Sequence, residues 1–239
     1  MFKYQQIASK IRADIINGKY NESGRLPNEA TLSSLYNCSR MTIKQATDHL
    51  VIEGLITKKK GAGMYIRPRL SNKNSSLYSN KPNVFGFNNS FKDLNTITRI
   101  KTFEVIKGDD SITEKLNLKS GSFLYHVERV RIIDDEPIIF ENLYFPIDVI
   151  VGLTEEIICN SIYNYIENEL NIKIYNADKF IRAVLPSKEV QGILEISEYD
   201  PVIEMQHVVY SSNGEPLEYA NLCYKGSKYQ MHFITQNYE

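Results

Sequence analysis

The sequence predicts an α+β protein of two parts: a small three-helix domain that ends in a hairpin, followed by a larger domain of antiparallel strands. Apolar residues in the first 53 positions recur at helical spacing, whereas residues 124–224 contain long alternating runs in pairs. Between the two parts, residues 70–81 are mostly Ser, Asn and Lys, a composition typical of linkers. We therefore expect domains at 1–69 and 82–239, joined by a linker at 70–81.

The first domain has three helix patterns and one hairpin pattern. The first helix has one apolar stripe and ends at Gly18, and Asn28 and Ser39 are suitable N-caps for the second and third helices. The pattern of residues 55–60 and 64–67 predicts two basic strands joined by a Gly-Ala-Gly turn at 61–63. This order is typical of a winged helix-turn-helix, in which the third helix enters the major groove. The stripe of the first helix is Ile7, Ile11 and Ile15.

Charge is distributed unevenly between the two parts. Residues 1–70 contain twelve Lys and Arg against five Asp and Glu, a net charge of +7 that leaves −8 for the remainder of a chain whose total is −1. A concentrated positive charge favours a polyanionic partner such as double-stranded DNA. An exposed, basic N-terminal half of the third helix could alternatively be an ordinary solvated face; the adjacent hairpin favours DNA binding.

The second part contains an internal repeat. Residues 124–133 and 138–145 form one strand pair, residues 202–210 and 217–224 form another, and both turns contain Glu-Pro. A helix-like segment precedes each pair, at 112–118 and 187–196, so we expect a duplicated antiparallel sheet. Ser161 is the expected N-cap of a helix between the two copies.

Two arginines in the first strand pair could bind an anion. Strand alternation places Arg129 and Arg131 on the same face, about 7 Å apart along the strand. Two guanidinium groups repel each other unless an anion joins them, and a phosphate or carboxylate group of a ligand would satisfy both. Salt bridges to carboxylates of the domain explain the pair equally well.

Several classes of site have no support in the sequence. The three cysteines, at 38, 159 and 223, form no metal-binding spacing, and buried reduced thiols are the expectation. The four histidines match no catalytic or metal motif, no nucleophile motif is present, and no apolar run is long enough to span a membrane. We expect no catalytic residues, no metal, no cofactor, no membrane partner and a cytoplasmic location.

The first domain resembles the DNA-binding domain of the GntR superfamily. The residues that carry the resemblance are LPNE at 26–29, CSRMTIKQA at 38–46, EGLI at 53–56 and KGAG at 60–63. The resemblance implies a homodimer that reads an inverted repeat in operator DNA, with the third helix in the major groove and the wing tip in the minor groove. Ala30 departs from the family, where an arginine is common. The expected DNA contacts are Asn28, Glu29, Ser39, Arg40, Met41, Thr42, Lys44, Gln45, Gly61 and Gly63.

The second domain resembles the UTRA domain of the HutC subfamily, whose fold is similar to that of chorismate lyase. The resemblance covers about residues 82–236 and includes ERVR at 128–131, ENLY at 141–144 and GEPLEY at 214–219. It implies a small anionic effector such as a phosphosugar. Its phosphate would be bound by Asn88, Asn89, Ser90, Phe91, Arg129, Arg131 and Ser161, and its hydroxyls by Glu141, Tyr163, Glu218 and Tyr224. Solvent-facing carboxylates and plain helix capping by Ser161 are the alternatives.

These features together predict a ligand-responsive DNA-binding transcriptional regulator. It is expected to repress a sugar uptake or catabolism operon and to be released from the operator by a phosphosugar. The linker around residues 71–80 is the expected relay between effector and DNA. The alternatives are a sensor of an organic acid or amino acid catabolite, a constitutive DNA-binding protein whose sheet only dimerises, and a lyase-like enzyme tethered to DNA.

Overall fold

The computed structural model describes residues 2–67, the backbone of 77–79, and residues 96–231. These fall into two compact units, the first containing residues 2–67 and the second containing 77–79 and 96–231. The mixed α and β content confirms the predicted fold class. Among the described residues, no helix is long and apolar enough to cross a membrane.

The first unit is a three-helix bundle with a small sheet. Its elements are α1 (Lys3–Ile16), β1 (Arg25–Leu26), α2 (Glu29–Leu35), α3 (Arg40–Ile52), β2 (Ile56–Lys59) and β3 (Gly63–Ile66). The antiparallel sheet has the order β1-β3-β2. The three helices and the hairpin confirm the sequence prediction of a winged helix-turn-helix, whereas the two-residue strand β1 was not predicted.

Side-chain caps start the second and third helices where the sequence predicts them. The Asn28 side chain accepts a hydrogen bond from the Thr31 amide at 2.9 Å, and Ser39 accepts one from the Thr42 amide at 3.2 Å. Each cap satisfies an amide that the helix itself leaves unpaired. Both helices therefore begin at defined residues.

The core of the first unit lies between the helices and the sheet. The predicted apolar stripe of α1 is buried, one face of α3 is also buried, and Leu32 is the only buried residue of α2. Leu35 of α2 is 59% exposed. The buried set of α1 and α3 includes Ile7, Ile11, Ile15, Ile43, Ala46 and Leu50.

The second unit is built on a six-stranded antiparallel sheet. Its elements are β4 (Leu77–Ser79), β5 (Thr96–Lys107), α4 (Asp110–Lys115), β6 (Phe123–Ile133), β7 (Glu136–Pro146), α5 (Glu155–Cys159), α6 (Ile162–Asn168), β8 (Ile174–Val184), α7 (Lys188–Leu194), β9 (Val202–Ser211), β10 (Pro216–Lys225) and β11 (Tyr229–Met231). The strand order is β5-β6-β7-β10-β9-β8, so the two predicted hairpins lie side by side through β7 and β10. Strands β4 and β11 pair in parallel as a separate two-stranded sheet.

The helices cover opposite faces of the large sheet. Helices α5 and α6 pack on one face through Ile158, Ile162 and Ile166, against the largest apolar cluster of the unit. Helix α7 packs on the other face through Val190 and Leu194. The face that α5 and α6 cover also carries the buried polar side chains described below.

Four features of the second unit differ from the sequence predictions. The long outer strands β5 and β8 and the short helix α5 were not predicted as elements, and β4 lies inside the stretch that was predicted to be linker.

Cys223 is buried as expected, but Cys159 is exposed and Cys38 is half-buried, so the prediction of three buried thiols was wrong. All three cysteines are free.

Candidate functional site

The N-terminal half of α3 presents a polar surface. Arg40, Lys44 and Gln45 are exposed and Met41 is 63% exposed, whereas Thr42 is half-buried. Thr42 is held in place, because its hydroxyl lies 2.9 Å from the Ser39 hydroxyl. Of the residues of α3 that were predicted to face DNA, Arg40, Met41, Lys44 and Gln45 therefore face outward from the first unit.

The wing turn is held by Arg25, which the sequence analysis missed. The Arg25 guanidinium donates to the carbonyl oxygen of Ala62 and lies 4.7 Å from the centre of the Tyr65 ring. The Tyr65 hydroxyl donates to the same carbonyl at 3.2 Å. Gly61 and Gly63 have φ values of +74° and +103°, which side chains other than glycine rarely adopt. The turn is thereby fixed by glycine conformation and by one stacked arginine.

Glu29, one of the predicted DNA contacts, forms an ion pair within the first unit. The Lys58 ammonium group lies 3.1 Å from the Glu29 carboxylate and 2.7 Å from the Asp48 carboxylate. These ion pairs join the beginning of α2 and the middle of α3 to strand β2 of the wing. Glu29 and Lys58 therefore have a structural role, and the lysines at 59 and 60 carry the basic charge of the wing.

On the face of the large sheet that α5 and α6 cover, two arginines converge on one carboxylate. Arg129 and Arg131 of β6 are 6% and 3% exposed, and both donate through Nε to the same oxygen of Glu141 on β7. Arg129 also donates to the Ile158 carbonyl at 2.6 Å, and Arg131 donates to the Thr98 hydroxyl. The alternative of salt bridges to a carboxylate of the domain is therefore present, because both guanidinium groups pair with Glu141.

The charges of this cluster shift the pKa values of its members. Burial opposes ionisation of Glu141, but Arg129 and Arg131 outweigh it and lower the pKa of this carboxyl group below its usual value. Burial and the neighbouring Arg129 lower the pKa of Arg131 to about 10, although Glu141 acts against them. Glu141 and Arg131 are therefore both ionised at neutral pH.

A second group of predicted residues lies near the arginine cluster. The Tyr163 hydroxyl of α6 donates to Glu218 of β10 at 2.5 Å, and Glu218 is 3% exposed. Burial, and then the Glu218 carboxylate, raise the pKa of Tyr163 well above its usual value. Tyr224 is buried and its ring stacks on Tyr229 with 3.9 Å between centroids. The sequence prediction that Glu141 and Glu218 could be solvent-facing is not met, because both are buried.

The remaining predicted positions divide into two groups. Ser161 is the N-cap of α6, accepting from the Asn164 amide at 3.3 Å, which confirms its capping role. The loop of Asn88, Asn89, Ser90 and Phe91 lies outside the described residues. Within the described residues, no group of three metal-ligating side chains is present.

The sequence analysis also missed His207 of β9. It is 7% exposed, and its Nε2 atom lies 3.7 Å from the Glu218 carboxylate. The sequence treated every histidine as structural, because the register that brings His207 beside Glu218 joins strands β9 and β10 and was not assigned.

Family models match both units. Residues 3–66 match the model of bacterial regulatory proteins of the gntR family, and residues 92–230 match the UTRA domain. The UTRA match covers more than half of the chain. This chain is a GntR-family regulator of the HutC type. It binds DNA and controls transcription in response to a ligand, which confirms the central sequence prediction.

Its relatives are transcriptional regulators. The regulator is 34% identical to the HTH-type transcriptional regulator GmuR of Bacillus subtilis over 221 residues, 92% of each chain. It is 28% identical to the mannosyl-D-glycerate transport/metabolism system repressor MngR of Escherichia coli, covering 98% of this chain and 95% of that one. The crystal structure of the possible regulator YydK from Bacillus subtilis matches all of both chains with a TM-score of 0.80 at 26% identity.

We predict that Glu141→Gln destabilises the second unit and removes part of its acid sensitivity. The change removes the carboxylate charge that both buried guanidinium groups share, a loss of about 3–5 kcal/mol. Because folding lowers the pKa of Glu141 below 4.5, its contribution is complete above that pH and disappears as pH falls through the folded-state pKa. Scanning calorimetry between pH 7 and pH 3 measures both effects.

The control for this prediction is Glu136→Gln. Glu136 also has a lowered pKa, because of hydrogen bonds from Lys225 and then Lys228, but this ion pair is at the surface. We expect a loss below about 1 kcal/mol for the control. Equal losses in the two variants would contradict the assignment of a buried charge cluster.

Proposed function

We propose that this regulator represses a sugar uptake or catabolism operon and that a phosphosugar releases it from DNA. The observation that carries the proposal is the pair of buried guanidinium groups of Arg129 and Arg131 opposite the single carboxylate of Glu141. Two guanidinium groups on one buried face form a cationic site, and their planar N–H groups suit the oxygen atoms of a phosphate.

The neighbouring side chains suit the sugar part of such an effector. Glu141 and Glu218 supply carboxylate acceptors, and Tyr163 and Tyr224 supply hydroxyl groups. Hydroxyl groups of a sugar donate well to carboxylates, whereas an organic acid would bring a second anionic group toward them. Two of the relatives are repressors of mannosyl-D-glycerate and fructoselysine systems, which supports a sugar-derived effector.

We predict that hexose 6-phosphates raise the melting temperature of the full chain, whereas free hexoses, inorganic phosphate and citrate do not. A ligand at 100 times its Kd stabilises the native state by about 2.7 kcal/mol. Arg131→Lys keeps the charge but loses the planar fork that binds phosphate, so its ligand shift should be lost. Arg99→Lys is the control, because Arg99 is an exposed arginine of β5. A shift by citrate alone would contradict the proposal.

We further propose that α3 and the wing bind operator DNA. Arg40, Thr42 and Lys44 project from the beginning of α3, where arginine can bond guanine in the major groove. The turn of Gly61, Ala62 and Gly63 presents backbone without bulk, which suits the narrower minor groove. Met41 and Gln45 are exposed on the same helix and complete the proposed contacts, with Asn28 and Ser39 as caps that also present their side chains.

We predict that Arg40→Ala lowers the affinity for the operator by about 1–3 kcal/mol. Fluorescence anisotropy with labelled DNA from the upstream region of the gene measures this loss, at two salt concentrations. Lys188→Ala removes the same charge from an exposed position of the second unit and should leave affinity nearly unchanged. Equal losses for the two variants would show that charge alone, and not α3, determines binding.

We also propose that the regulator is a homodimer, as an inverted repeat requires, and that β8 forms the interface. Within the described residues, no strand pairs with the outer edge of β8. Tyr175, Phe180 and Ile181 on this strand are 66%, 74% and 40% exposed. An unpaired strand edge of eleven residues is prone to pair with another strand, and antiparallel pairing of two copies of β8 forms a two-fold symmetric contact.

We predict that Phe180→Asp converts the dimer to a monomer of 27.6 kDa in light-scattering measurements. A carboxylate at the strand edge replaces apolar contact with repulsion between two copies. Phe123→Asp is the matched control, because Phe123 is 62% exposed but lies at the beginning of β6. A dimer that survives in Phe180→Asp would place the interface elsewhere.

The relay from effector to DNA is proposed to run through the end of the predicted linker. The ring of Tyr224, a proposed effector contact, stacks on Tyr229 at the beginning of β11. Strand β11 pairs with β4, which belongs to the stretch at 70–81. An effector that moves Tyr224 therefore has a short path to the segment that leads to the DNA-binding unit.

A further inference from the structure

A cavity of about 340 Å³ lies on the face of the large sheet that α7 covers. Strands β7, β9 and β10 form its floor, and α7 with the segment at 185–187 forms its sides. Phe140 and Asn142 contribute from β7, and because side chains alternate along a strand, both point away from the face that carries Glu141. Ligand sites in proteins begin at roughly 300 Å³. The cavity is therefore separate from the arginine cluster and has room for a small molecule.

Part of the lining of this cavity is apolar. Val184 of β8, Val190 of α7 and Val202 of β9 line it, and the last two are 7% and 1% exposed. Leu185 also lines it and is 67% exposed, so the cavity opens beside this residue. The apolar body of a ligand would shield these side chains from water, which favours binding.

Two carboxylates line the cavity, and each has an oxygen that no described residue binds. The Glu204 side chain of β9 is 13% exposed, and its Oε1 atom accepts from Arg182 at 2.6 Å and from Gln206 at 3.2 Å. Glu189 of α7 accepts from Lys101 at 2.9 Å, also through Oε1. The Oε2 atoms of both residues accept no hydrogen bond from the part of the chain that the structure describes. Both carboxylates can therefore still bind a donor.

The rest of the polar lining adds no positive charge. None of the described residues that line the cavity is a lysine or an arginine. Burial, and then the Glu204 carboxylate, raise the pKa of Cys223 to about 11, so this thiol is neutral. Asn142 and Asn221 are cross-strand neighbours at the floor, and the Asn221 Oδ1 atom is buried without a donor among the described residues. The charged side chains of the described lining are thus both carboxylates, and donors are scarce beside them.

We propose that this cavity is a second ligand site, separate from the proposed phosphosugar site, and that it binds a small primary amine with an apolar body. The ammonium group lies against the Glu204 carboxylate, and the apolar body lies on Val184, Val190 and Val202. An ammonium group has three donors and no acceptor, which matches a cavity that offers acceptors. Glu189, whose side chain is 56% exposed, adds a second negative charge.

The same lining disfavours other small molecules. Glu204 and Glu189 repel a phosphate or carboxylate group, and the attraction of Glu204 for a cation is strengthened because its side chain is mostly removed from water. A neutral alcohol of the same shape keeps the apolar contact and loses the attraction between charges. The comparison of an amine with its matching alcohol therefore isolates the contribution of the carboxylates.

The test is titration calorimetry of the full chain at pH 7 and low salt with two matched pairs of probes. The amines are 3-methylbutylamine and 2-phenylethylamine, the alcohols are 3-methylbutanol and 2-phenylethanol, and phenylacetate is the anionic probe. We expect at least one amine to bind about tenfold more tightly than its alcohol, the equivalent of about 1.4 kcal/mol. We expect no binding of phenylacetate, because both carboxylates repel it.

Three variants test the assigned counter-charge. Glu204→Gln keeps the shape of the side chain and removes its charge, so the preference for the amine should fall below about threefold. Glu189→Gln should reduce the preference less, and in this variant Lys101 keeps Glu128 as its partner. Glu198→Gln is the matched control, because Glu198 is an exposed glutamate of the same unit that does not line the cavity. Its preference for the amine should equal that of the wild type.

The outcomes that overturn the proposal are distinct from those that bear on the phosphosugar. If neither amine binds more tightly than its alcohol, the cavity is not an amine site. Equal losses in Glu204→Gln and Glu198→Gln would show that the amines respond only to the total charge of the unit. If Glu204→Gln lowers the melting temperature and does not bind any probe, Glu189→Gln decides, and an unchanged preference in that variant refutes the site. None of these results changes the test of the phosphosugar, which uses other ligands and the arginines on the opposite face.

Discussion

Glu141 lies between Arg129 and Arg131 in the interior of the second unit, and the surrounding elements must keep all three groups hydrogen-bonded. The arginines meet this requirement by donating to the Ile158 carbonyl of α5 and to Thr98 of β5. The charge cluster therefore joins β5, β6, β7 and α5. Because an apolar core of the same volume is often as stable as a buried ion cluster, stability alone does not account for the cluster. The anion binding that we propose accounts for it.

The hairpins and the capped helices could be predicted because their signals are local. Asp134 and Asp135, both with positive φ, form the two-residue turn that joins β6 and β7, and a single alternating pattern runs along each strand. The outer strands β5 and β8 could not be predicted, because most of their residues are exposed or half-buried on both faces and the apolar alternation is lost. Similarly, the pairing of Arg129 with Glu141 depends on a bulge after Arg131 that shifts the register by one residue, and no local pattern marks it.

The first unit shows how few residues are needed to present a DNA-reading helix. Ser39 fixes where α3 begins, and Lys58 ties its middle to β2 of the wing through Asp48. Arg25 reaches the wing turn from β1, a strand of two residues that no sequence pattern could reveal. The exposed residues of α3 could be predicted from the sequence, because helical periodicity determines which side of the helix each residue lies on. The contacts of Lys58 and Arg25 that hold α3 and the wing could not be predicted, because they join elements that are distant in sequence.

Coupling between the two units sets a requirement on the effector. A ligand that binds two arrangements of the regulator equally shifts neither, and moving a population from 1:99 to 99:1 needs about 10⁴-fold better binding to one arrangement. A tenfold preference corresponds to about 1.4 kcal/mol, so the proposed phosphate contacts of Arg129 and Arg131 must be combined with others. Tyr224 is suited to this role, since its ring contacts Tyr229 and through β11 reaches β4.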